Sequence, residues 1–251
     1  MTREEMREKK RERNLTYQDI SDMSGVPVAT VQRILTGKGE NPHPYNVSRI
    51  EAVLEQSLTG ETALRLPYGA SSPACTEEEY YAYAENRRCE WIDGRIVDLG
   101  APSTSHQKVL QELLFQVESY IRRNGGPCKP YVAPVAVKLD AATIVEPDLF
   151  VLCDPEKDRT HRIEGAPDWV TEILSPSTVG RDCIVKLDKY RRSGVREYWI
   201  VDEASRTVHA YDFTAPDGAA LRTYTGGCHV PVALYGGALE IDLAEVWCRI
   251  G

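Results

Sequence analysis

Asp148 and Glu172 each stand inside a short apolar run, IVEPDLFVLCD and DWVTEILSPST, bounded by turn residues. Runs of this length, rich in Val, Ile, Leu and Phe, read as buried strands. A carboxylate inside such a strand must be paired, protonated or bound to a cation, because desolvating the bare charge costs several kcal/mol. The two acids are followed by RDCIVKLDKY, a helical stretch that carries Lys186 and Lys189. Together they point to a divalent-metal site with a cationic neighbour. Magnesium suits it, with manganese as a substitute, since Mg²⁺ takes oxygen ligands and is commonly held by one or two carboxylates.

Pro147-Asp148 followed by Glu172 resembles the PD-(D/E)xK restriction-endonuclease-like superfamily. Within it, TEILSPST, RD, KLDKY and GVREYWIVD in succession resemble the Uma-type restriction-endonuclease family of bacteria, over Thr76 to Val246. The superfamily pattern puts a lysine two residues after the glutamate, where this chain has Leu174. The Uma-type pattern takes its lysine from the following helix, which maps onto Lys186, with Lys189 three residues on and facing nearly the same way. The resemblance implies a metal-dependent phosphodiesterase: Asp148 and Glu172 as ligands, the Ile173 carbonyl as a third, and Lys186 polarising water or neutralising charge on the phosphorane. It also implies that Glu90 helps bind metal and that His106 lies near the site. Read without it, Glu90 is equally a surface strand carboxylate, and His106 a solvated or capping residue. The lysines could likewise be tied up in helix-surface pairs with Asp182 and Asp188.

The elements that must position these groups follow from local patterns. Thr76 and Glu79 form a capping box opening a short helix. RRCEWIDGRIVDLG holds two alternating runs joined by Asp93-Gly94, a strong hairpin signal. Val109, Leu110, Leu113, Leu114, Val117 and Ile121 recur at helical spacing between Ser103 and Arg123. YVAPVAVKLD and IVEPDLFVLCD are expected as adjacent strands, DWVTEILS as another, and Val179 to Ser193 as a long helix. Tyr198 and Trp199 read as core, and the end of the chain as β-rich.

Upstream, LTYQDISDMSGVPVATVQRILTGKGENPHPYNVSRIEAVL reads as a short helix (Tyr17 to Met23), a turn at Gly25, a second helix (Val28 to Leu35) and a third (Val47 to Leu54). Ile20, Val26, Val31 and Ile34 are spaced to close one small core, and Ser24 takes a position normally apolar. This resembles the lambda-repressor-like helix-turn-helix family. The second helix would then enter the DNA major groove with Pro27, Ala29, Thr30, Gln32 and Arg33 facing the bases. A helical packing or protein-interaction module is the other reading, since residues 1–56 balance nine Lys/Arg against nine Asp/Glu.

The expected architecture is a helix-turn-helix DNA-binding domain (1–56), a linker (57–75) and a restriction-endonuclease-like α/β (α+β) domain (76–251) with a mixed sheet flanked by helices. Seven scattered cysteines without a CxxC pair argue for reduced thiols in a cytoplasm. No apolar run is long enough to span a membrane. The net charge of −8 is unhelpful to a nucleic-acid binder but does not exclude one, because it hides patches. No GxSxG, P-loop or Rossmann glycine pattern occurs. Two functions remain: a Mg-dependent DNA endonuclease, in which RNA could replace DNA, or a transcriptional regulator with a non-catalytic nuclease-like domain. A homodimer is expected, since cutting two strands asks for two copies.

Overall fold

The computed structural model describes residues 1–12, 15–24, 26, 28–37, 42, 44–55, 74–174, 185–215 and 220–250. The chain groups into two units, Met1–Ala70 with Ser177–Lys186, and Ser71–Pro176 with Leu187–Gly251.

The first unit is built on α1 (Arg3–Glu12), α2 (Tyr17–Ser24), α3 (Val28–Thr36) and α4 (Pro44–Glu55). Ile20, Val26, Val31 and Ile34 do share one core, completed by Met6, Leu35, Ile50, Val53 and Leu54. The polar Ser24 is 2% exposed, yet it is accommodated by the turn itself. Its Oγ accepts the Val26 N–H at 3.2 Å, while the Ser21 hydroxyl donates to the Val26 carbonyl at 2.7 Å. The Arg49 guanidinium donates to the Ser24 carbonyl. A serine therefore serves where an apolar residue is usual, because its hydroxyl satisfies a buried backbone group.

The second unit begins with α5 (Glu77–Ala84), opened by the expected capping box of Thr76 and Glu79. Next come β1 (Cys89–Ile92) and β2 (Arg95–Asp98), joined at Asp93 (φ 51°) and Gly94 (φ 74°), the left-handed pair that a tight hairpin requires. Then follow α6 (Thr104–Asn124), β3 (Lys129–Val132), β4 (Val137–Asp140), β5 (Thr143–Val145) and β6 (Leu149–Leu152). After them come β7 (Asp158–Arg159), β8 (Arg162–Glu164), β9 (Trp169–Ile173), α7 (Leu187–Ser193) and β10 (Glu197–Asp202). The chain closes with β11 (Thr207–Asp212), β12 (Ala220–Thr225), β13 (His229–Pro231), β14 (Glu240–Asp242) and α8 (Leu243–Cys248).

The strands form two six-stranded mixed sheets, β2-β1-β5-β4-β8-β7 and β12-β11-β10-β9-β6-β3, beside the β13-β14 pair. Helix α6 lays Val109, Leu110, Leu113 and Val117 on one face of the second sheet, against Leu149, Val151, Trp169, Ile173, Trp199 and Val201. Its first turn is capped by Ser103, and Gly125 (φ 71°) ends it. No helix among the described residues is long and apolar enough to cross a membrane.

Three expectations are corrected. The stretches YVAPVAVKLD and IVEPDLFVLCD are not single strands: each breaks into two, β3 and β4, then β5 and β6, with the halves in different sheets. Pro134 and Pro147 sit at the breaks, and a residue without an N–H cannot continue a ladder. The long helix expected over Val179 to Ser193 is α7 alone within the described residues, and 175–184 lie outside them. Reduced thiols are not general either, because Cys128 and Cys153 are joined by a disulfide. The β3–β6 register, with Lys129 opposite Leu152, sets the two cysteines across from each other. The linker 57–75 falls almost wholly outside the described residues, as do Pro27, Asp182 and Cys183.

Candidate active site

Strands β6 and β9 run antiparallel with Leu149 opposite Thr171 and Phe150 opposite Val170. Carried one residue further, that register sets Asp148 opposite Glu172. Residues directly opposite each other in such a pair project on the same side, about 5 Å apart at Cβ. The face is set by alternation: Trp169 and Ile173 pack toward α6, so Glu172 points away from it.

Both acids are held. The Ile173 N–H donates to Asp148 Oδ2 at 2.8 Å, and His106 Nε2 lies 3.1 Å from the same oxygen. His106 is 6% exposed in the first turn of α6, where the Ser103 hydroxyl accepts its backbone N–H at 3.0 Å. The solvated reading of this histidine is thereby overturned. Glu172 is 3% exposed, and the Tyr190 hydroxyl donates to its Oε1 at 2.6 Å. Burial, reinforced by the charge of Glu172, pushes the Tyr190 phenol well above its ordinary range, so it remains a donor.

Glu90 is fully buried on β1, which overturns the surface-carboxylate reading. Its Oε1 accepts the N–H of Glu146, two residues before Asp148, at 3.0 Å. Its charge also bears on Tyr190, which places it in the same neighbourhood as Glu172. Among the described residues no three His, Cys, Asp or Glu side chains gather into a metal cage. The donor set is therefore a carboxylate pair of hard oxygen atoms with other places left to water, backbone or phosphate, which fits Mg²⁺ or Mn²⁺ and not zinc.

The two lysines part company. Lys189 Nζ lies 2.5 Å from Asp93 Oδ1 and 3.3 Å from Asp140 Oδ2, so it ties α7 to the β1–β2 turn and the end of β4. Burial works to lower its ammonium, but the hydrogen bond from Lys189 to Asp93 and the charge of Asp140 outweigh it and hold the pKa above its ordinary value. The surface pairing weighed from sequence thus occurs, with other partners: Asp188 pairs with Arg192. Lys186, directly before α7, is 2% exposed, which is unusual for an ammonium on a long flexible stem.

On α3, Ala29, Gln32 and Arg33 are exposed and Thr30 is half-buried, with the Arg33 guanidinium 3.5 Å from the Thr30 hydroxyl. Two site features escaped the sequence reading. Tyr190 looks like any aromatic of a helix core, and the Ser105 hydroxyl donates to Glu203 Oε1 at 3.0 Å across 98 residues of chain. That contact pins the first turn of α6 beside His106, and no local pattern announces it.

A family profile described as "Putative restriction endonuclease", Uma2, matches residues 77–228, and a helix-turn-helix profile matches residues 5–60. An uncharacterized protein of Synechocystis is 27% identical over 146 residues, covering 57% of this chain and 76% of that protein. The crystal structure of a putative nuclease of the DUF820 group from Anabaena variabilis superposes with a TM-score of 0.59 at 18% identity, over 70% of this chain and 99% of that one. At that identity the likeness speaks for the fold: a helix-flanked mixed α/β architecture shared with a nuclease-like protein.

Proposed function

We infer that this chain, which belongs to the Uma2 restriction-endonuclease family and carries a helix-turn-helix domain, is a metal-dependent endonuclease acting on DNA. The observation that carries the reading is the opposition of Asp148 and Glu172 across β6 and β9, each fixed by a donor. Those two carboxylates would hold Mg²⁺ or Mn²⁺, with Glu90 and the Ile173 carbonyl in support. When bound, the ion supplies Lewis acidity to a phosphate oxygen and makes hydroxide accessible near neutral pH.

The protein's own part is positioning. His106 and the Ile173 N–H fix Asp148, and Tyr190 fixes Glu172. Lys186 supplies the positive charge that neutralises the phosphorane, a contribution of the kind that fixed charges make to a transition state. Lys189 is the understudy, engaged with Asp93 and Asp140. On the DNA-binding module, Pro27, Ala29, Thr30, Gln32 and Arg33 would meet the major groove, Gln32 reading adenine and Arg33 guanine. The domains we assign are 1–56 for this module, 57–75 for the linker and 76–251 for the nuclease, working as a cytoplasmic homodimer.

The test is cleavage of supercoiled plasmid with Mg²⁺ or Mn²⁺ by wild type, Asp148→Ala and Glu172→Ala. Nicking that needs metal and disappears in both variants supports the reading. No cleavage with any metal, while sequence-specific DNA binding persists, replaces it with the regulator. That second reading draws on the absence of a three-residue metal cluster among the described residues.

A further inference from the structure

Tyr190 is fully buried, and its hydroxyl lies 2.6 Å from Glu172 Oε1, a short contact for an O–H donor on a carboxylate. The ring is itself wedged: it packs tilted against Tyr198 at 4.9 Å between centroids, under the strand next to Glu172. Helix α7 that carries it is anchored one residue earlier, where Lys189 grips Asp93 and Asp140 on the other sheet. Successive residues of a helix point about 100° apart, so Lys189 and Tyr190 reach to different elements from one short helix.

We propose that Tyr190 is a positioning residue for the metal site. It ties down Glu172 Oε1, leaving the other oxygen of that carboxylate as the one presented to the ion. The proposal rests on the reading of Glu172 as a metal ligand and deepens it, assigning Lys189 to hold the helix in place and not to the reaction. A carboxylate with both oxygens free swings about its last torsion, which is broad for Glu. One fixed oxygen removes that freedom before the ion arrives. Outer-shell partners of this kind typically change metal affinity by roughly 10-fold to 100-fold when removed.

The variant is Tyr190→Phe in the full chain, which keeps the ring and its packing and deletes one hydroxyl. Calorimetric titration with Mn²⁺ alone, without DNA, should show affinity weaker by roughly 10-fold or more. In plasmid cleavage, the Mn²⁺ concentration for half-maximal rate should rise while the KM for DNA stays unmoved, and excess metal should restore the rate. A purely structural role would not give that split. A metal-free crystal structure of Tyr190→Phe should show the Glu172 carboxylate moved or spread over two rotamers. Unchanged Glu172 in that crystal overturns the proposal whatever the metal does, as does Mn²⁺ affinity equal to wild type. If wild type itself binds no Mn²⁺, the nuclease reading falls, and the crystal still decides whether Tyr190 positions Glu172.

Discussion

Replacing Asp148 with Asn tests the metal site without breaking the fold around it. The Asp148 side chain is 19% exposed, and its Oδ2 meets the Ile173 N–H and His106 Nε2. Asp148→Ala would leave that buried N–H without its acceptor, a penalty of about 1–3 kcal/mol that confuses stability with binding. Asn keeps the shape and an acceptor oxygen but loses the charge that a divalent ion needs. If wild type is given Mn²⁺ at 100 times its dissociation constant, binding stabilises it by about 2.7 kcal/mol. A 100-fold loss of affinity reduces that gain to about 0.4 kcal/mol at the same concentration. For a domain of this size about 1 kcal/mol moves the midpoint by roughly 2–4 °C, so wild type should shift by about 5–10 °C and Asp148→Asn by about 1 °C.

Tryptophan fluorescence is the right probe, because all four tryptophans (Trp91, Trp169, Trp199 and Trp247) belong to the second unit. Trp169 and Trp199 pack edge to face at 4.8 Å in the core behind the site, so their signal follows that unit alone. A full Mn²⁺ shift retained in Asp148→Asn would refute Asp148 as a ligand. No shift in wild type at any Mn²⁺ or Mg²⁺ concentration would refute the metal site as a whole.

Other expectations follow from the same contacts. Lys186→Met should lower plasmid cleavage by roughly 100-fold or more, the usual cost of deleting a transition-state charge partner, whereas Lys189→Met should cost less than about 10-fold. Equal losses in the two would remove the distinction drawn between the lysines. Gln32→Ala and Arg33→Ala should each weaken binding to a selected DNA site by about 1–3 kcal/mol, read by fluorescence anisotropy, and leave non-specific binding far less changed for Gln32. Unaltered site preference in both would argue that α3 does not read bases. Burial raises the pKa of Glu197, although Leu234 N–H and the Trp199 indole donate to its carboxylate at 2.8 and 2.6 Å. Its folded pKa therefore exceeds the unfolded one, so its contribution to stability falls as pH rises from about 4.5 through the raised value. Urea unfolding of wild type and Glu197→Gln across pH 4 to 8 should show the wild type losing stability relative to the variant over that window; parallel curves would contradict it.

Much of the local structure was legible from short stretches. The Thr76–Glu79 cap, the Asp93-Gly94 hairpin, the apolar stripe of α6 and the helix-turn-helix core each depend on residues a few positions apart. Asp148 and Glu172 were conspicuous for the same reason, as charges inside apolar runs. The strand breaks at Pro134 and Pro147 were available to a stricter reading of proline, since the missing N–H is a property of the residue alone.

What the sequence determined by itself is therefore the set of elements and the two acids. Tertiary structure decided which strands meet, and with them that Asp148 stands opposite Glu172, that Cys128 meets Cys153, and that Lys189 turns to Asp93 and Asp140. It also brought Tyr190 onto Glu172 across 18 residues and Glu203 onto Ser105 across 98. Propensity, capping and turn chemistry act through neighbours on the chain. Strand register and the seating of one helix are fixed by burying apolar faces against each other, and that free energy belongs to the packed core as a whole.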